Sequence, residues 1–101
     1  MPKLYIYFGL VVYFYTNEHT PIHVHGEFQG CETKAEIILR NGKIAKIIFS
    51  NVAGMPPLTG PKLRAFKRLV EIKGEDIIGK WIDYFVKRIH HKPEIITRKL
   101  K

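Results

Sequence analysis

Ile22-His23-Val24-His25-Gly26-Glu27-Phe28 is the stretch that decides the fold. Ile22, Val24 and Phe28 fall on one side of a two-residue repeat, with His23, His25 and Glu27 on the other. That period belongs to a half-buried β-strand. The strand turns an apolar face to a core and carries two imidazoles and a carboxylate on its other face.

Downstream, Gln29 to Glu32 contains a glycine and reads as a four-residue loop. Beyond it Ala35, Ile37 and Leu39 alternate with Lys34, Glu36 and Ile38, giving a second strand. A loop of that length sets Glu27 opposite Lys34 and His25 opposite Glu36, with facing Cβ atoms about 4.5 to 5.5 Å apart. Asn41-Gly42 is a hairpin turn whose glycine takes positive φ freely, and a strand from Lys43 to Phe49 follows. A strict two-residue loop would set Ile37 against Lys46. A three-residue loop bulged at Gly42 pairs Ile37 with Ile47 and Leu39 with Ala45, and this is the preferred register.

Upstream, Leu4–Phe8 and Leu10–Tyr15 are rich in β-branched and aromatic residues, with Gly9 between them. A tight hairpin and a bulged continuous strand both fit. Tyr5, Tyr7, Tyr13 and Tyr15 form a row that reads either as a partner surface or as core beneath helices.

From Asn51 to Pro61 two glycines and three prolines mark the change from strands to helices. Thr59 suits a cap and Pro61 a first turn, so one helix is expected over 61–72, burying Leu63, Phe66, Leu69 and Val70. A second is expected from Glu75 and Asp76 towards residue 91, with Ile77, Ile78, Trp81, Ile82, Phe85 and Ile89 as its apolar stripe and Pro93 as its stop. The tail, 94–101, alternates loosely and admits an edge strand. The expected architecture is a single α+β domain, 1–101, with an antiparallel sheet of about five strands in 1–50, two helices in 61–91 packed on one face, and a basic tail.

The 17 basic and 9 acidic residues give a net charge of +8, which fits an anionic partner such as RNA or another nucleic acid. Lys80, Lys87, Arg88, Lys92, Arg98, Lys99 and Lys101 make the C-terminal third the stronger electrostatic footprint. Cys31 is the only cysteine, so no internal disulfide is available and a cytoplasmic setting is expected. The apolar run at Leu4–Tyr15 is shorter than the ~20 residues of a membrane helix and has no small-x-small cleavage site, so no membrane partner is expected. A domain of this size gains from a partner subunit, and a homo-oligomer is the default expectation.

Phe14-Tyr15-Thr16-Asn17-Glu18-His19-Thr20-Pro21-Ile22-His23-Val24-His25, then Lys34-Ala35-Glu36-Ile37 and Trp81-Ile82-Asp83-Tyr84-Phe85, carry a resemblance over nearly the whole chain. The sequence resembles the small bacterial domain-of-unknown-function family 4160. His19, His23 and His25 match its signature histidines, Pro21 its proline and Trp81 its helical tryptophan. The chain departs from the signature with Glu18 for Asp, Ile22 for a second Pro and Gly26 for Val. The resemblance implies a toxin-antitoxin-like setting, with a small cognate antitoxin-like protein as partner, and no settled activity.

Histidines titrate nearest to neutral pH, so three within seven residues point to proton transfer, metal ligation or phosphate contact. For metal-independent RNA cleavage His25 is the base, oriented by Glu36, with His23 or His19 as acid and Lys34 as the cation for developing phosphorane charge. No cofactor is needed on that reading. The alternative is a divalent metal such as zinc held by His19, His23 and His25, although spacing by two along a strand is looser than a helical pair and no C-x-x-C or H-E-x-x-H accompanies it. A third reading keeps the row structural, bonded to Glu27 and Glu36, in a protein-binding module. The function expected is RNA binding with metal-free cleavage by the histidine cluster.

Overall fold

The computed structural model describes residues 2–14 and 22–100. Three two-residue turns of one kind build most of the sheet. Phe8-Gly9, Gln29-Gly30 and Asn41-Gly42 all place both central residues at positive φ, 49° and 85°, 49° and 80°, and 53° and 77°. That geometry matches the twist of the strands it joins. The turns connect β1 (Lys3–Tyr7) to β2 (Leu10–Tyr13), β3 (Ile22–Phe28) to β4 (Cys31–Arg40), and β4 to β5 (Lys43–Asn51).

The sheet has six strands in the order β5-β4-β3-β2-β1-β6, where β6 is Glu94–Ile96. β6 runs parallel to β1, with Ile6 opposite Ile95, so the sheet is mixed where an antiparallel one of about five strands was expected. The residues before it return the chain along the helix, and a strand arriving from that side lies beside β1 in the same direction.

Two registers differ from expectation. Gln29-Gly30 alone makes the turn, so Cys31 and Glu32 belong to β4 and the pairing slides by two. His23 faces Glu36, His25 faces Lys34, and Glu27 faces Glu32. Between β4 and β5 the turn is a strict two-residue one, with Arg40 opposite Lys43 and Leu39 opposite Ile44. A bulge at Ala45 then restores the expected pairing of Ile37 with Ile47. The extra residue sits inside β5 and not at Gly42, so Leu39 never meets Ala45.

The helical half is one helix, α1 (Gly60–Ile82), not two. Gly74, where the expected helices part, is buried in its middle, and a Cβ there would lie 2.7 Å from Ile44 Cδ1. The glycine marks a close approach of helix to β5 rather than a break. Pro61 occupies the first turn as expected, and Thr59 takes the cap position without a side-chain capping bond. After Ile82 the residues Asp83–Lys87 wind a wider π-helical turn. Arg88 ends it in the left-handed conformation, φ 62°, and the N–H of Ile89 closes on the Asp83 carbonyl at 2.7 Å. Helical structure therefore stops well short of residue 91.

α1 crosses one face of the sheet. Phe66, Leu69, Val70 and Ile77 are buried with Tyr5, Val12, Val24, Ala35 and Ile37, and Leu63 is partly buried. Phe66 sits directly over Gly26, where a Cβ would meet three ring atoms at 2.5 to 2.9 Å. Tyr5 and Tyr7 are core on this side and Tyr13 is buried too, which removes the tyrosine row as a partner surface; Tyr15 lies outside the described residues. Trp81 is partly buried against the core and packs on Phe85. No described helix is long and apolar enough to cross a membrane.

Candidate functional site

Because α1 covers the Ile22, Val24 and Gly26 side of β3, the histidines occupy the sheet's other face. His23 is 21% exposed at its side chain, and its Nε2 lies 3.8 Å from Glu36 Oε1 on the facing strand. His25, one pleat on, is only 2% exposed. Its Nδ1 lies 3.2 Å from Glu32 Oε2, and the Tyr13 hydroxyl donates to Glu32 Oε1 at 2.5 Å. Tyr13 faces His25 across β2 and β3, and their rings stack at 5.5 Å with 22° between planes.

Glu32 and Tyr13 are thus central to the row, though the sequence reading assigned neither to it. The signal was present in the parity of the chain. Once Gln29-Gly30 is taken as the turn, Glu32 stands diagonal to His25 on the same face, a separation long side chains span. A buried carboxylate is expensive unless its oxygens are satisfied, and here one accepts from a phenol while the other meets an imidazole. The carboxylate fixes the orientation of the His25 ring, as in paired carboxylate-histidine sites. A ring this deeply buried does not meet a bulky substrate such as RNA directly, so towards such a substrate its geometry is that of a positioning group.

Lys34 stands half-buried opposite His25, and Glu36 is half-buried beside His23. Of the five expected site residues the sheet brings His23, His25, Lys34 and Glu36 onto one face, and His19 lies outside the described residues. Among the described residues no three His, Cys, Asp or Glu side chains are arranged to hold a metal ion.

A second polar cluster lies on the helix side. Tyr5, wholly buried, donates its hydroxyl to Asp76, Lys80 Nζ lies 3.0 Å from Asp76 Oδ2, and the same ammonium stands 4.2 Å above the Tyr5 ring. Burial pushes the Tyr5 phenol far above its ordinary value, with the neighbouring Asp76 adding to the effect. At Asp76 partial burial acts upwards, but the Tyr5 hydroxyl and the Lys80 ammonium outweigh it and hold the carboxyl below its usual range.

A family model described as a domain of unknown function, DUF4160, matches residues 9–82. The chain belongs to the DUF4160 family. No curated protein and no solved structure matches it. The DUF4160 match begins at Gly9 in the first hairpin turn, takes in the histidine row and the whole of α1, and ends where the regular helix ends. β1 and β6, which pair with each other, lie outside the DUF4160 segment.

Proposed function

We propose that the protein binds RNA or another nucleic acid through the helix side of the sheet. The observation that carries this reading is the placement of charge. Residues 60–101 hold twelve of the 17 basic residues but only five of the nine acidic ones, so nearly all of the net +8 belongs to α1 and the residues that follow it. The first turn of α1 has no acidic residue to offset its positive end. Phosphate contacts release counterions, so binding of this origin weakens steeply as salt rises. Fluorescence anisotropy with a labelled oligoribonucleotide should give an affinity that falls by tenfold or more between 50 and 200 mM salt. Absence of binding at the lower salt would remove the reading.

Metal-free cleavage is the second reading, and the partly exposed His23–Glu36 pair favours it, with Lys34 as the neighbouring cation. On the observed register His23 takes the proton-transfer role and His25 positions the row through Glu32. His19 remains a proposed partner in it, and so does zinc as the alternative use of the three histidines. Cleavage that survives a chelator and is lost in His23→Ala supports the acid-base role; metal found by elemental analysis, and lost in the same variant, supports the ion. A small antitoxin-like partner and self-association complete the proposal, and light scattering of the protein alone and with any small protein that co-purifies with it reads both.

A further inference from the structure

We infer that the protein has a cleft for single-stranded nucleic acid, in which Arg64, Arg68 and Lys99 take backbone phosphates and Phe8 offers its ring to a base. This specifies the nucleic-acid reading above and rests on it. A groove of about 410 Å³ is lined by Arg64 and Arg68 from α1, Lys99 from the tail and Tyr7 from β1. A hollow of about 360 Å³ adjoins it, sharing Tyr7, Pro61, Ala65 and Lys99 and adding Phe8 and Lys62. The two together form one trough from the tip of the first hairpin to the C-terminal tail.

The basic residues of α1 divide by type. All four lysines are engaged: Lys62 donates to the Phe8 carbonyl at 2.6 Å, Lys67 lies 5.4 Å over the Phe49 ring, Lys73 pairs with Glu94 at 3.6 Å and Lys80 with Asp76. The two arginines have no ion pair or side-chain hydrogen bond among the described residues, and both are exposed into the groove, as is Lys99. Spaced i, i+4, their guanidinium groups stand on one helix face. The planar guanidinium fork suits phosphate oxygens better than an ammonium does.

Phe8 supplies what a plain anion site lacks. Its side chain is 55% exposed although its φ of 49° is a conformation that bulky residues avoid. At the same position of the other two hairpins stand Gln29 and Asn41, both polar. The turn is pinned to α1 through Lys62, and the Phe8 ring leans on Tyr7 at 5.0 Å between centroids. An aromatic face held at the edge of a cationic trough is the arrangement by which sequence-tolerant proteins hold single strands, phosphates in the channel and a base on the ring.

The test titrates labelled ten-nucleotide oligouridylate, oligothymidylate and a duplex of the same length against wild type, Phe8→Asn, Arg64→Gln/Arg68→Gln and Lys46→Gln, the last on the opposite face. Asparagine suits left-handed backbone, so Phe8→Asn keeps the turn, and a thermal melt verifies the fold. The expected result is preference for single strands of either sugar over duplex, and roughly tenfold or greater weakening in Phe8→Asn with its salt slope unchanged. The double arginine variant should weaken binding at least as much and flatten the slope of log K against log salt by roughly 1.4. Lys46→Gln should stay within twofold of wild type. If wild type binds but Phe8→Asn and the arginine variant bind no worse than Lys46→Gln, or duplex is preferred, the cleft is wrong while the nucleic-acid reading stands. If wild type binds none of the three oligonucleotides, both fall.

Discussion

Gly26 shows how one missing side chain sets the position of the helix. The space that a larger side chain would fill at this position is taken by the Phe66 ring. Gly26→Val should therefore cost about 1–3 kcal/mol by overpacking. In urea denaturation Phe66→Leu should recover part of that loss, and a double-mutant cycle with no coupling between the two positions would contradict the packing. The Tyr5–Asp76 contact acts at the same scale through pH. Asp76, held below the ~3.9 of an unfolded aspartate, stabilises the fold above about pH 4, and the contribution is lost as pH falls. Tyr5, raised above the ~10 of an unfolded tyrosine, contributes below about pH 10, and its contribution is lost as pH climbs beyond that. Asp76→Asn should flatten the acid limb of a stability profile and Tyr5→Phe the alkaline limb. The Asp76 side chain is about half exposed, at 49%, so solvent screening keeps the acid effect small. An acid limb unchanged in Asp76→Asn would show that the contact does not persist in solution.

At the scale of elements, Gly74 and Gly79 look alike in the sequence and differ in the fold. Both lie inside α1, but a Cβ at Gly79 meets nothing within 4 Å while one at Gly74 meets Ile44. Gly79→Ala should stabilise by up to about 1 kcal/mol on helix propensity alone. Gly74→Ala should gain less, until Ile44→Val removes the obstructing Cδ1 and the full gain appears in the melting temperature. Equal gains at both sites in the wild-type background would mean that β5 and α1 do not approach as described. The same pair explains what was legible. Alternation in Ile22–Phe28 displayed both faces of β3, and Asn41-Gly42 announced its turn. Gln29-Gly30 and Phe8-Gly9 make the same turn with first residues that do not favour positive φ, so pairing across the sheet imposes the geometry and the sequence hides it. From that hidden turn came the shifted register, and from the register the wrong carboxylate for His25. The expected gap between residues 72 and 75 has the same origin: what places Gly74 inside a continuous helix lies on another element.

At the scale of the molecule, the sheet separates two chemistries that the sequence presents in one string. Histidines and their carboxylates line one side, and Arg64, Arg68 and the other basic residues of α1 lie on the other, so a strand held along α1 does not thereby reach His23. That division was not visible without the topology, because net charge carries no direction. The outer edges of the sheet are also unlike. β5 is blunted by its bulge at Ala45 and by Lys43 and Lys46. The other edge is the three-residue β6, which covers β1, with Tyr5 set against Glu94 and the N–H of Leu100 donated to the Tyr7 hydroxyl at 2.8 Å. A partner so far along the chain also sets a clock. During translation β1 leaves the ribosome about ninety residues ahead of the strand that closes it, roughly 5–20 s at ordinary elongation rates. For that interval its backbone is open to any passing strand, and slower elongation lengthens the exposure.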